Sequence, residues 1–218
     1  SNIELGYVVS YMVIQMIRTK EYREELKEFW GSDPVKKSLY ALCKLNGIDI
    51  KLSDIDIHIN PIEEQIRALK DDSDIFYDAM IKHRAIIWIN NTDEHFWTSD
   101  NPVMVRGYNN SRAIAVAGAN IFYPMSPRIC LGLHANGYAN NGIVACSNQF
   151  KACKSAGEFY SKFESSRLFC ELSSKEAVSF INIGQLVNSH RYIMSYDGNF
   201  DKALEHIKKY PNVRIGAE

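Results

Sequence analysis

Near residue 85 the chain changes its period, and that change restricts the fold more than any single motif does. Before it, apolar residues recur at helical spacing. After it come short β-branched and aromatic runs broken by Gly, Pro and Asn. Residues 3–29 are expected to form one long helix, with Ile3, Tyr7, Ile14, Ile17 and Leu26 near one face and Tyr11, Met12 and Met16 widening it. Thr19 followed by Glu21 hints at a change of direction within it. The apolar stretch "LGYVVSYMVIQMI" (5–17) reads as a helix buried on most sides. It contains Gly, Ser and Gln and falls short of the roughly 20 apolar residues a membrane span requires. Ser32-Asp33 with Pro34 caps a second helix, about 34–45, and Asn46-Gly47 ends it. "DIKLSDIDIHI" (49–59) alternates like a strand. Asn60-Pro61 then leads into one or two helices with a break near Asp71–Asp74, so residues 1–84 are mostly helical.

From residue 85 the pattern is that of strands. "AIIWIN" (85–90) is β-branched and aromatic, "NTDEH" reads as a hairpin-like link, and "FWT" reads as a short second strand. "VMVRG", "AIAVAGANIFYPM", "RICLGLHA" and "GIVACS" continue the series. Short strands with such punctuation imply a largely antiparallel sheet. Helix returns with "SSKEAVSFINIGQLVNSHRYIMS", which opens on a Ser-Ser-x-Glu capping pattern and carries Val178, Ile181, Ile183 and Leu186. "NFDKALEHIKKY" is a last short helix. Helices, then strands, then helices argue for an α+β fold, a single domain over 1–218 with its sheet and C-terminal helices from about 85.

Composition narrows the function classes. Lys+Arg number 25 against Asp+Glu 26, which supplies no broad basic face for nucleic acid. The five cysteines form no Cys-x-x-Cys pair, so neither a zinc ribbon nor a redox dithiol is indicated. Free thiols in a reducing, cytoplasmic compartment are expected, without a disulfide-linked partner. The six histidines lack His-x-x-x-His or His-x-His spacing, so no metal site is expected, and His190 stands out only because it adjoins Arg191. The pattern of an EF-hand fails at Asp71, Asp72 and Asp74. Phosphate loops and a Gly-x-Ser-x-Gly elbow are missing, and no particular cofactor is implied.

The most unusual stretch is "HFWTSDNPVMV" (95–105), where Thr-Ser-Asp-Asn-Pro interrupts two apolar segments. Asp100 and Asn101 suit an Asx-type turn, and Pro102 pushes Asn101 towards an extended conformation. A second turn, Tyr-Pro-Met-Ser-Pro, lies in "IFYPMSPRICLGLH", where proline suits an edge or a turn.

Together these stretches resemble a bacterial family known as "domain of unknown function 4238". Its pattern has an aromatic residue, then Thr-Ser-Asp-Asn-Pro-Val, then a strand ending in Pro-Leu-Ser-Pro. The counterparts here are "FWTSDNPV" (96–103) and "FYPMSPRICLGL" (122–133), with Met125 in the Leu place. "VVSYMVIQMIRTKEYREEL" (8–26) is similar to the family's helix with an Arg-Thr step, matching Arg18 and Thr19. "VSFINIGQLVNSHRYIMS" (178–195) is similar to its late helix, matching Asn182 and Arg191-Tyr192. The family's opening His-Tyr-Val-Pro-like segment has no counterpart, so a preceding segment is expected to be missing.

The resemblance brings a carboxylate, amides and two arginines into one set. The first expectation is a hydrolytic or nucleic-acid-processing enzyme. Asp100 would serve as base or ligand beside Ser99, and Asn101, Asn182, Arg18 and Arg191 would bind an anionic substrate. The alternative is a non-catalytic binding or regulatory module in which the same residues are structural. An open cleft at Asp100 favours chemistry, and a sealed, fully paired Asp100 favours structure.

Overall fold

In the computed structural model, which describes residues 2–107, 114, 118–135, 154–155, 157–158, 161 and 169–211, the expected long first helix is two. Helix α1 runs Asn2–Ile17 and α2 runs Lys20–Gly31. Thr19 makes the break. Its hydroxyl donates to the Met16 carbonyl at 2.8 Å and accepts from Tyr22 N at 3.2 Å, so one side chain closes one helix and caps the next. Helix α3 (Asp33–Leu45) ends as expected, with Gly47 at φ 73°. The alternating stretch 49–59 is not a strand: it holds only a 3-10 turn, Leu52–Asp54. Helix α4 (Pro61–Arg67) passes without interruption through a π turn, Ala68–Asp72, into α5 (Ser73–Ile81), so the break expected near Asp71–Asp74 is a local widening of a continuous helix.

The buried face of α1 also differs from expectation. Val9, Met12, Val13 and Ile17 face the core, whereas Tyr7, Tyr11 and Ile14 are exposed. The helix is apolar nearly all round, so its own periodicity does not choose a face; contact with α5 and the sheet does.

The sheet contains β1 (Arg84–Asn90), β3 (Met104–Arg106), β4 (Asn120–Ser126), β5 (Ile129–His134) and β6 (Phe169–Leu172) in the order β3-β4-β5-β1-β6. All pairs are antiparallel except β1 with β6. Pro124 sits in β4 beyond the last residue paired to β3, beside a bulge between Pro124 and Ser126, so no ladder donor is missed there. The short strand β2 (Thr98–Ser99) does not return as a hairpin on β1. It pairs instead with β7 (Ile193–Met194). Helix α6 (Lys175–Asn188) is capped by Ser174 as its Ser-Ser-x-Glu opening predicts, and α7 (Asp201–Lys209) follows β7. The segment "GIVACS" lies outside the described residues.

Both sheet faces are covered. Ala85, Val105, Ile121, Leu131 and Leu133 pack towards α1 and α5. Ile86, Trp88, Met104, Phe122 and Cys130 pack towards α6, where Val178 and Ile181 meet them. Helix α6 in turn packs on α7 through Leu186 and Ala203, with Trp97 between. Cys130 and Cys170 both face Trp88 from opposite sides in the ladder. Two strand spacings, about 9–10 Å, separate them. That exceeds the roughly 7 Å limit for a disulfide, so both remain thiols.

One polar line crosses the α6 face of the sheet. The Trp88 indole N–H donates to His134 Nε2 at 3.3 Å, and His134 Nδ1 meets Asn120 Oδ1 at 2.8 Å. This bridge passes over Gly132, where an added Cβ would lie 2.5 Å from the indole nitrogen. Burial first, then the nearby His83 and Arg84 charges, lower the His134 pKa from 6.5 to about 3. The folded protein therefore excludes a proton that the unfolded chain binds below about pH 6.5. Stability from this group is complete above pH 6.5 and is lost as pH falls towards 3. We expect a loss of about 2 kcal/mol by pH 5, read from urea denaturation at pH 7 and pH 5. His134→Gln should lower stability at pH 7 and flatten this acid slope; an unaltered slope in the variant would refute the assignment.

Candidate functional site

Within segment 95–103 only Thr98 and Ser99 belong to a strand, and the chain bends at Asp100–Asn101. The segment's other backbone groups need partners, because a buried peptide group left unpaired is costly. Helix α6 supplies them from one stripe. Asn182, Gln185 and Asn188 recur every third residue and project from one side of the helix. A primary amide carries both a donor and an acceptor, so it can substitute for a neighbouring strand's peptide group.

The bonds follow that logic. Asn182 Oδ1 accepts from Trp97 N and its Nδ2 donates to the His95 carbonyl, both at 2.8 Å. Gln185 Nε2 donates to the Pro102 carbonyl at 2.9 Å. Asn188 Nδ2 donates to the carbonyls of Asn101 and Val103 at 2.8 and 3.2 Å. Asn101 reciprocates, its Nδ2 donating to the Asn188 carbonyl at 3.1 Å. The Ser99 hydroxyl lies 2.8 Å from both Gln185 Oε1 and the Asn101 carbonyl, two acceptors for one proton.

Asp100 extends the contact beyond the helix. Its two oxygens accept from His190 N at 2.9 Å and Arg191 N at 2.8 Å, while its own N–H donates to the Tyr192 carbonyl at 3.1 Å. A carboxylate near a helix C-terminus is opposed by the macrodipole by about 0.3–1 kcal/mol. Two charge-assisted bonds, each worth about 1.5–3 kcal/mol, outweigh that.

The structure thus brings together four of the six residues singled out in the sequence. Ser99, Asp100, Asn101 and Asn182 share the α6 junction, and Arg191 joins through its backbone. The Arg191 side chain is exposed. Arg18 is exposed just beyond the end of α1, its Nε donating to Gln15 Oε1 at 2.7 Å. Among the described residues, neither guanidinium forms an ion pair with Asp100. Gln185 and Asn188 escaped the sequence reading, although the Asn-x-x-Gln-x-x-Asn spacing was visible. His190 contributes a backbone N–H rather than its ring.

A cavity of about 380 Å³ lies beside this junction, between the α1–α2 corner, α5 and β3. Asn101 and Asn188 form part of its wall; Ser99 and Asp100 do not line it. Elsewhere, His95 Nδ1 meets Asp197 Oδ2 at 3.0 Å on the surface before α7. Hydrogen bonds from Ser195, His95 and Asn199 N hold the Asp197 carboxyl well below the ordinary range. Among the described residues, no cluster of His, Cys, Asp and Glu could hold a metal ion, and no helix is long and apolar enough to cross a membrane.

Residues 2–199 match the model of a family described as "Protein of unknown function (DUF4238)". No curated protein and no solved structure matches.

The stripe reaches Ser99–Val103 only because α6 packs closely on β3. At Gly184 an added Cβ would lie 1.8 Å from Met104 Sδ. An alanine gains about 1 kcal/mol of helix propensity over glycine, but overpacking costs about 1–3 kcal/mol, so the clash should win. Gly184→Ala should therefore lower Tm by a few degrees, and the same substitution should cost less when made in a Met104→Ala background. A higher midpoint for Gly184→Ala alone would refute this close contact.

Proposed function

The chain belongs to the DUF4238 family, a description that assigns no activity, and we propose that it is a non-catalytic ligand-binding module whose Ser-Asp-Asn-Pro turn is a structural brace. The observation that carries this reading is the complete engagement of the motif's reactive groups. Both Asp100 oxygens accept backbone N–H groups, and the Ser99 hydroxyl is enclosed between two acceptors. Ser99 is only 4% exposed.

Hydrolytic or nucleic-acid-processing chemistry at this turn would need Asp100 to take a proton or a ligand. That would break contacts that hold the chain after α6 in place. It would also need a cationic partner for an anionic substrate. Arg18 is engaged with Gln15 on its own helix, and the Arg191 side chain is directed to solvent. A brace requires none of this. It positions Asn101 and Asn188 at the wall of the adjoining cavity, which is of a size suited to a small ligand.

Asp100→Ala leaves two backbone donors without their acceptor. The part-buried donor of His190 costs about 1–3 kcal/mol when left unmet and the exposed donor of Arg191, which water can reach, costs less; about 1 kcal/mol shifts Tm by roughly 2–4 °C in a domain of this size. The variant should melt several degrees below the parent in a thermal scan. Asp100→Asn, which keeps one acceptor oxygen, should fall between the two. An unchanged midpoint for Asp100→Ala would overturn the brace and return the turn to candidacy as a reaction centre.

A further inference from the structure

The cavity beside the brace has an unusual distribution of hydrogen-bonding groups. Asn101 and Asn188 are 6% and 9% exposed, and both line it. Two backbone carbonyls accept from the Asn188 amide nitrogen, which fixes the orientation of that amide. The nitrogen of Asn101 is similarly fixed on the Asn188 carbonyl. What remains of each side chain is chiefly a carbonyl oxygen. No donor from the described residues meets either oxygen, and neither is sealed from solvent. Asn101 retains one N–H as well. Both nearly buried side chains belong to residues of the cavity wall, and each keeps an acceptor oxygen that no described residue engages.

The rest of the wall selects among donors that could enter. Met16, Phe76, Val103 and Val105 make it mainly apolar. Its charged members are Glu21 and Glu25, and no Lys, Arg or His is among its described lining residues. Both carboxylates have interactions of their own, so they bias the potential without offering a vacant seat. Burial chiefly raises the Tyr22 phenol above its ordinary pKa, with the Asp72 and Glu25 charges adding to it and Arg67 opposing. The Tyr22 and Phe76 rings meet edge to face at 6.2 Å and add aromatic surface.

We infer that this cavity binds a small amine: an apolar body with a positively charged, hydrogen-donating nitrogen placed against the oxygens of Asn101 and Asn188. The inference rests on the binding-module reading and adds the ligand class. An ammonium group is three donors and no acceptor, which complements a wall of acceptors. A carboxylate would meet oxygens and negative charge. A neutral alcohol would satisfy one oxygen without the charge. The volume of about 380 Å³ lies near the lower end of the range for small-molecule sites, which suits one ring or branched chain with one head group.

Three probes with similar bodies test this on the full chain by isothermal titration calorimetry: 2-phenylethylammonium, 2-phenylethanol and 3-phenylpropanoate. The ammonium should bind at least about fivefold more tightly than the alcohol, since a charge-assisted bond exceeds a neutral one by about 1 kcal/mol or more. The carboxylate should not bind. Ala79→Phe, which places a ring into the cavity from α5, should abolish ammonium binding. Glu25→Gln, an α2 change with little bearing on the core, should weaken the ammonium and leave the alcohol unchanged, and it serves if Ala79→Phe does not fold. Alcohol or carboxylate binding as tight as the ammonium, and lost in Ala79→Phe, would overturn the amine while leaving the binding module standing. Absence of binding by all three, or ammonium binding untouched by both variants, would overturn the cavity as the site as well.

Discussion

A segment that pairs in a strand at only two residues has to satisfy its other peptide groups elsewhere, and here it does so largely on the side chains of a helix. The amides of Asn182, Gln185 and Asn188 take the place of a neighbouring strand along residues 95–103. Much else depends on that substitution. It docks α6 against the sheet, places Trp97 between α6 and α7, and turns the chain at Ser99–Asn101 so that Met104 can enter β3. Each bond contributes only about 1 kcal/mol net, but the penalty for a buried group that loses its partner is larger, so the set acts as a constraint on geometry more than as a reserve of stability.

Apolar packing around this junction is close and leaves little choice of residue. Helix α6 meets β3 at Gly184 and Met104, and the Trp88–His134 bridge passes over Gly132 on the same face of the sheet. Both glycines are selected by contact rather than by backbone angle, since neither lies at positive φ. The other face is less demanding. There α1 and α5 cover the sheet with Val9, Met12, Val13, Ile17 and Met80.

Catalytic and bracing arrangements draw on the same chemistry, which explains why this motif invites both readings. A carboxylate, a hydroxyl and several amides near a strand end could orient a substrate or orient the protein's own backbone. The atoms opposite them decide. At Asp100 those atoms are the N–H groups of residues 190 and 191, and at Ser99 they are two acceptors within the fold. Among the groups of the junction that retain hydrogen-bonding capacity are the amide oxygens of Asn101 and Asn188, both residues of the cavity wall.

Several features were legible from the sequence because they arise from local chemistry. The change of period near residue 85 marked the α+β order, Ser174 announced α6, Asn46-Gly47 ended α3, and the Thr-Ser-Asp-Asn-Pro stretch was marked as a turn of consequence. The family resemblance also held over residues 2–199. Local chemistry did not reveal which face of α1 is buried, because a helix apolar on every side takes its orientation from its neighbours. It did not show that β2 joins β7 rather than β1, since strand pairing is a choice among distant partners. Nor did it separate Arg18 and Arg191 from the Asp100 carboxylate, or bring Gln185 and Asn188 to the turn. A residue type determines which bonds a side chain is able to make; the tertiary structure decided which of them it makes, because the partners lie more than eighty residues away in the chain.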